Sequence, residues 1–540
     1  MFKVFVRVPF FLSSLWLGWC CVAIAGDTNK TVSLLLIHTH NNNGHFWENK
    51  DGESGMPAKK TLFDILRSNA QKTQQAVLTF STGDVNTGTP ESDLQSAQPD
   101  FIGMNLLKYD AMSLGNHEFD NAPNILKQQR LWANFPFLSA NIVLKRYPHQ
   151  TLVKPYHIVH RKGLKIAVIG LTGRQFTDNV AKHNIRHLTV LDPVTHSQEI
   201  YRNIESKEHP DLIITLFHAG HLTHRLMESK KIEQHLIIDQ LQLKTPHIFL
   251  MGHDEDTACI EPAYDKTKFC RPYLHRNTWI VQGNKGFGYV SATKFHLKDG
   301  TLTAEIQENI PVNLHKDGGT DRFTPNPLVY KILDKYVRKI DHLKQTEVAY
   351  LSHALTNHCG RWGQKPVSLL VLFAQIKLLN VDFALFNNRG IRAGLPQGKI
   401  TFLDLQKITP FKNKIVLIKA NGRTIMRYMN RIFQHQKPQY YNISMEIHSY
   451  GRAKVLDQFR VNNKPLLPEK IYTFTLPDFL INGGARFPNI INDVNFEHEV
   501  LSITYEELML DFFKQLPSKH FNTQPFIEYA SLVNHVATCI

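Results

Sequence analysis

Apolar residues along this chain gather in short runs that break off into polar, often glycine-containing stretches. Val32 to Ile37 is one such run, and it leads straight into His38-Thr39-His40-Asn41-Asn42-Asn43-Gly44-His45. Ala76 to Phe80 leads into Ser81-Thr82-Gly83-Asp84, and Tyr109 to Leu114 into Gly115-Asn116-His117-Glu118-Phe119-Asp120. Leu164 to Gly170 is a further run. Leu212 to Phe217 ends in His218-Ala219-Gly220-His221, and Ile248 to Met251 in Gly252-His253-Asp254-Glu255-Asp256. Runs of this length and branched-chain content predict buried strands. Leu62, Ile65 and Leu66 fall at helical spacing, and a helix is predicted around Phe101 to Leu107. Strands alternating with helices predict an α/β layered domain.

The strand ends carry the chemistry. Ligands of open α/β sheets bind beyond the carboxyl ends of the strands, and five of these runs end in Asp, His or Asn. The pattern predicts Asp84, Asn116, His218 and His253 around one point, a mixed nitrogen and oxygen shell suited to Zn, Mn, Fe or a similar divalent ion. Asn116 offers an amide oxygen, His117 an imidazole for an oxyanion, and Asp120 a carboxylate to orient that imidazole. Taken alone, the six residues from Gly115 to Asp120 also suit a polar turn. Repetition at five strand ends favours a site.

Near Thr324-Pro325-Asn326-Pro327 the composition becomes turn-like. Leu328, Ile332, Leu333, Tyr336 and Ile340 then follow helical spacing, which predicts a connecting helix over 323–344. A second segment begins after about Gln345, with strands predicted at Asp382 to Phe386 and Lys414 to Lys419. Two of its stretches suit ligand contacts: Asn387 to Arg392, and Asp478 to Phe487. Paired glycines admit close approach, Arg grips phosphate or carboxylate, and Phe can stack on a base. Two polar β-turns are the alternative.

At 540 residues, two or more domains are expected. There are 62 Lys and Arg against 47 Asp and Glu, a net charge of +15 that favours anionic substrates or surfaces. The basic residues are dispersed, without the concentrated arm of a nucleic-acid binder. Lys3 and Arg7, the apolar stretch Val8 to Trp19 and Ala23-Ile24-Ala25 predict a cleaved leader over 1–25, hence export. No other apolar stretch is long enough to span a bilayer. Of the six cysteines, Cys20 and Cys21 leave with the leader. Cys259 and Cys270 lie close in a polar loop and would pair in an oxidising compartment. Cys359 and Cys539 give no inferable pairing, and no CxxC spacing points to a zinc knot.

Over essentially the whole mature chain, and most densely from His38 to Asn121, the sequence resembles the 5′-nucleotidase family, most closely its bacterial periplasmic UDP-sugar hydrolase/5′-nucleotidase members. The shared stretches include Gly44-His45-Phe46-Trp47, Asn86-Thr87-Gly88, Pro90-Glu91-Ser92-Asp93-Leu94 and Gly103-Met104-Asn105-Leu106. The resemblance implies a calcineurin-like metallophosphoesterase β-sandwich flanked by helices over 26–322, and an α/β substrate domain over 345–540 that rotates about the linking helix. It implies two metals, with Asp84 as the bridging carboxylate and Asn116, His218 and His253 completing the second metal's shell. His117, oriented by Asp120, would stabilise charge on the attacked phosphate. Arg392 matches a phosphate-side arginine, Phe411 and Phe479 the two rings that sandwich the base, and Asn413 a base-contacting amide. The expected protein is a monomeric, periplasmic or secreted phosphoesterase. It would act on nucleotides or sugar-nucleotides through a metal-activated water, with Zn, Mn or Co type ions.

The departures bear on that expectation. Asn41 and Asn43 stand where the family carries an Asp and a His for the first metal, and Glu255 where it carries a Gln. One carboxylate is lost and one gained, so the cage keeps its formal charge. That pattern predicts a re-weighted two-metal site, and its rival is a site that holds only the second metal. Gly483-Gly484-Ala485 replaces Gly-Gly-Asp, removing a carboxylate for ribose hydroxyls, and Arg389 replaces a glycine. The pocket arginine expected before the helix at Leu369 to Leu379 has no counterpart. The competing functional class is therefore a degenerate relative that binds nucleotides or other anions without efficient turnover.

Overall fold

The run at Val32 forms the strand Val32–Thr39, buried from Leu34 onward. It lies parallel to Ala76–Ser81, which lies parallel to Ala111–Ser113. The computed structural model describes residues 31–219, 233–253, 269–270, 272–283, 286–305, 307–314, 323–358, 363–450 and 453–536. The leader, Glu255, Cys259, Cys359 and Cys539 lie outside the described residues, as does the side chain of Cys270.

These three strands belong to an eight-stranded sheet. Its order is Phe269–Cys270, Gln307–Pro311, Tyr289–Lys298, Val32–Thr39, Ala76–Ser81, Ala111–Ser113 and Phe137–Leu138, with Thr301–Ala304 beside Tyr289–Lys298. A six-stranded sheet runs Tyr273–His275, Thr278–Gln282, His247–His253, Leu212–Ala219, Leu164–Thr172 and Tyr156–Arg161. Leu164–Thr172, Leu212–Ala219 and His247–His253 are mutually parallel. The sheets face each other across Leu34, Leu36, Leu78 and Phe80 on one side and Ile166, Ile214, Leu216 and Leu250 on the other. Helices Met56–Lys72 and Gln98–Leu106 cover the outer face of the first sheet. Helices Pro193–Glu208 and Glu233–Gln240 cover that of the second. Central strands are buried on both faces, which is why they read as unbroken apolar runs.

The linking helix is shorter than its periodicity predicts. Asn326 caps Pro327–Lys339 by accepting the N–H groups of Leu328 and Val329, and the backbone leaves helical geometry at Ile340 (φ −111°). A separate short helix, Asp341–Gln345, follows. Val329, Leu333 and Val337 are buried in the first domain's core, so Pro327–Lys339 is docked along its length.

The C-terminal part is built on a five-stranded sheet ordered Gln439–Tyr441, Phe383–Phe386, Ile471–Pro477, Lys414–Asn421 and Glu497–Thr504. Phe383 and Leu385 pack on one face with the helix Gly422–His435, while Ala384 and Phe386 pack on the other with Pro366–Leu379 and Tyr505–Lys514. The whole is a two-domain α/β fold. Among the described residues no helix is long and apolar enough to cross a membrane.

Candidate metal centre and substrate face

Parallel strands share a direction, so their carboxyl ends bring four loops to one edge of the sandwich. Asp84 follows Ala76–Ser81, Asn116 and His117 follow Ala111–Ser113, and His218 and His253 are the penultimate and the last residue of their own strands. Asp84, His218 and Asn116 are buried, and His253 is half-buried. His218 Nε2 lies 3.1 Å from Asp84 Oδ2, 3.2 Å from Asn116 Oδ1 and 3.0 Å from His253 Nδ1. His253 Nδ1 is 3.7 Å from Asp84 Oδ2.

These donors fit a divalent cation. Ring nitrogens and oxygens all aimed at one point leave lone pairs in search of a positive charge. His218 Nδ1 donates to the Thr82 carbonyl at 2.6 Å. That bond fixes the tautomer and leaves Nε2 as the ligating atom, the usual supporting contact of a metal-bound histidine. Burial pushes the Asp84 carboxyl up, but His218 and His117 outweigh it and hold it well below the usual carboxylate range. Burial pushes the His218 imidazole down, and Asp84 more than reverses it. A proton here serves the same charge as a bound cation, so metal uptake at this site releases protons.

Close packing makes the site intolerant of added atoms. A Cβ on Gly115 would stand 2.3 Å from Asp84 Oδ1 and 2.7 Å from both Asp84 N and His218 Cε1. Gly115→Ala is expected to displace both side chains and weaken metal binding at least 10-fold, at a stability cost of about 1–3 kcal/mol. Calorimetric titration with Mn(II), alongside a melt of metal-free protein, checks this.

His117 sits just outside the donors. Its Nδ1 is 2.6 Å from Asp120 Oδ2, and its backbone N–H donates to Asp84 Oδ1 at 2.9 Å. Burial lowers the His117 pKa, but Asp120 and Asp84 together raise it to about 9. The C-terminal domain closes over this ring: Phe411 lies nearly parallel to it, centroids 5.8 Å apart and planes 16° apart. The Arg392 guanidinium stands 5.9 Å from the Phe411 ring centre. The loop carrying Arg392 is held by Lys365, whose Nζ donates to the Asn388 and Ile391 carbonyls at 2.9 and 3.2 Å. Asn413 is half-buried two residues beyond Phe411. Phe479, in Asp478–Ile481, packs into its own domain's core beside Gly484. Arg389 is exposed.

The calcineurin-like phosphoesterase family matches residues 22–256, and the 5′-nucleotidase C-terminal domain matches residues 343–491. Protein UshA of Yersinia enterocolitica is 33% identical over 501 residues, covering 88% of this chain and 89% of that protein. A 5′-nucleotidase of Vibrio cholerae is 34% identical over 505 residues, again covering 88% and 89%. The chain belongs to the 5′-nucleotidase family. A 5′-nucleotidase precursor from Thermus thermophilus shares the fold with a TM-score of 0.73 at 21% identity, covering 91% of this chain and 99% of that one.

Within this 5′-nucleotidase family chain, Asp84, Asn116, His218 and His253 converge, while Asn41 and Asn43 are engaged elsewhere. Asn41 Nδ2 donates to the His253 carbonyl at 2.8 Å and its Oδ1 accepts the His253 N–H at 3.2 Å. Asn43 Nδ2 faces the Asn86 and Thr87 carbonyls at 3.4 and 3.2 Å. Ala485 (φ 49°) and Arg486 (φ 59°) both take left-handed backbone, and Arg486 Nε lies 3.7 Å from Asp178 Oδ2 in the first domain.

Sequence reasoning passed over Glu118, although it stands inside the most conspicuous stretch. Its buried carboxylate accepts the N–H groups of Asp84, Val85 and Gly115 at 3.0, 2.8 and 2.7 Å, and lies 3.4 Å from that of Asn86. Burial and the Asp84 charge push its pKa up. A carboxylate two residues after Asn116 and next to His117 was the available signal.

Proposed function

We propose that the chain hydrolyses the phosphate esters of nucleotides or sugar-nucleotides. The observation that carries this reading is the stack of Phe411 on His117, next to the converging metal donors. It supports a substrate whose phosphate meets one domain while its aromatic base meets the other. In this reading Asp84, Asn116, His218 and His253 hold a divalent ion of Zn, Mn or Co type. When bound, that ion neutralises phosphate charge and activates water as the nucleophile. His117, held by Asp120, donates to the negative charge that develops on phosphorus-bound oxygen. Arg392 grips phosphate, Phe411 and Phe479 hold the base, and Asn413 reads its edge.

The division into a metal domain over 26–322, a link over 323–344 and a substrate domain over 345–540 belongs to this reading. So does the exported form, cleaved after residue 25 and acting as a monomer in the periplasm or outside the cell. There Cys259 and Cys270 form a disulfide.

Capture without turnover is the second reading. Ala485 supports it, because it leaves the substrate loop without a carboxylate for ribose. Phosphate release from AMP, UDP-glucose and an aryl phosphate decides between the two. Hydrolysis is expected to appear with Mn, Co or Zn and to vanish with a chelator. Intact nucleotide retained in equilibrium dialysis, with no phosphate released under any metal, would replace hydrolysis by capture.

A further inference from the structure

We propose that this chain is built for one metal ion, with Asn41 serving as a positioning residue for His253. The inference rests on the metal-dependent reading above. One amide, that of Asn41, holds both backbone groups of His253: Nδ2 donates to its carbonyl at 2.8 Å and Oδ1 accepts its N–H at 3.2 Å. His253 needs such a hold. Its φ is 79°, a left-handed conformation that a side chain with a Cβ disfavours. A carboxylate at position 41 could still accept the N–H. Its second oxygen, however, would face the His253 carbonyl, and a cation between the two oxygens would be needed to reconcile them. An amide has a donor in that place and removes the need for the cation.

Asn43 repeats the logic. Its nitrogen faces the Asn86 and Thr87 carbonyls, so the side chain acts as a donor tying two loops together. Asp84 divides its oxygens in keeping with a single ion. Oδ2 faces His218 and His253 at 3.1 and 3.7 Å, while Oδ1 accepts the His117 N–H at 2.9 Å. Among the described residues, Asp84, His218 and His253 are the one group of three or more His, Cys, Asp or Glu side chains close enough to share an ion.

Metal counting tests this on the wild-type chain, independently of activity. After dialysis against excess Mn(II) or Zn(II), elemental analysis is expected to give one ion per chain, and calorimetry one class of site. Two ions per chain would overturn the inference. No bound ion would overturn it together with the metal-dependent reading, whereas one ion without hydrolysis would overturn hydrolysis alone. Asn41→Ala is expected to keep the count at one and weaken binding about 10-fold, the scale of a lost supporting contact. A metal-free melt matching wild type shows that the loss is one of positioning. Unchanged affinity in a folded Asn41→Ala would remove the positioning role.

Discussion

Replacing His117 by alanine is expected to lower the rate of phosphate release about 10²–10⁴-fold while leaving the bound metal unchanged. In the proposed reaction the imidazole does charge work and takes no part in ligation. Its Nδ1 is committed to Asp120 at 2.6 Å, which leaves Nε2 as the outward donor. The metal donors Asp84, Asn116, His218 and His253 converge without it. With its pKa raised to about 9, the ring carries its proton at neutral pH, ready to meet negative charge as it develops. Asp120→Asn is expected to be milder, because the ring stays in place while its orientation and charge are less well supported. The rate constant at saturating AMP and the metal content of the same sample check both. A His117→Ala protein that released phosphate at the wild-type rate would remove the residue from the chemistry. One that lost its metal would place it among the ligands.

Much of the fold was legible because central parallel strands are buried on both faces and so read as unbroken apolar runs. Val32 to Ile37, Ala76 to Phe80 and Leu212 to Phe217 fall inside the observed strands Val32–Thr39, Ala76–Ser81 and Leu212–Ala219. Direction came with them: parallel strands stack their carboxyl ends, so Asp84, Asn116, His218 and His253 meet. Tyr109 to Leu114 was less faithful, since only Ala111–Ser113 joins the ladder while Tyr109 turns its hydroxyl to Thr39. What pattern cannot carry is the pairing of side chains with distant backbone. The Thr82 carbonyl sets the His218 tautomer across 136 positions, and Asn41 reaches His253 across 212. Nor does periodicity show that Phe411 lies on His117, since that depends on how two separately built domains meet.

Glu118→Gln is expected to cost about 1–3 kcal/mol of stability and to weaken metal binding about 100-fold. The carboxylate holds together two loops that both reach the metal donors. Oε2 accepts from Asp84 N and Gly115 N at 3.0 and 2.7 Å, and Oε1 accepts from Val85 N at 2.8 Å with Asn86 N at 3.4 Å. Asp84 is thereby kept in left-handed backbone (φ 55°) with its side chain toward His218. Glutamine preserves the shape but turns an NH₂ group toward two buried N–H donors, which then lose their acceptor. Removing the charge also relieves repulsion with Asp84, and that effect works the other way. It amounts to one like-charge pair, a few kcal/mol at the effective dielectric of a protein interior. The charge-assisted hydrogen bonds at stake are worth about 1.5–3 kcal/mol each, so their loss prevails. Melts with and without Mn(II) separate the two effects. A midpoint lowered equally in both would make Glu118 a structural anchor alone. A larger loss with metal present would make it a support of Asp84 as well, and the geometry at Asp84 N and Gly115 N leads us to expect that larger loss.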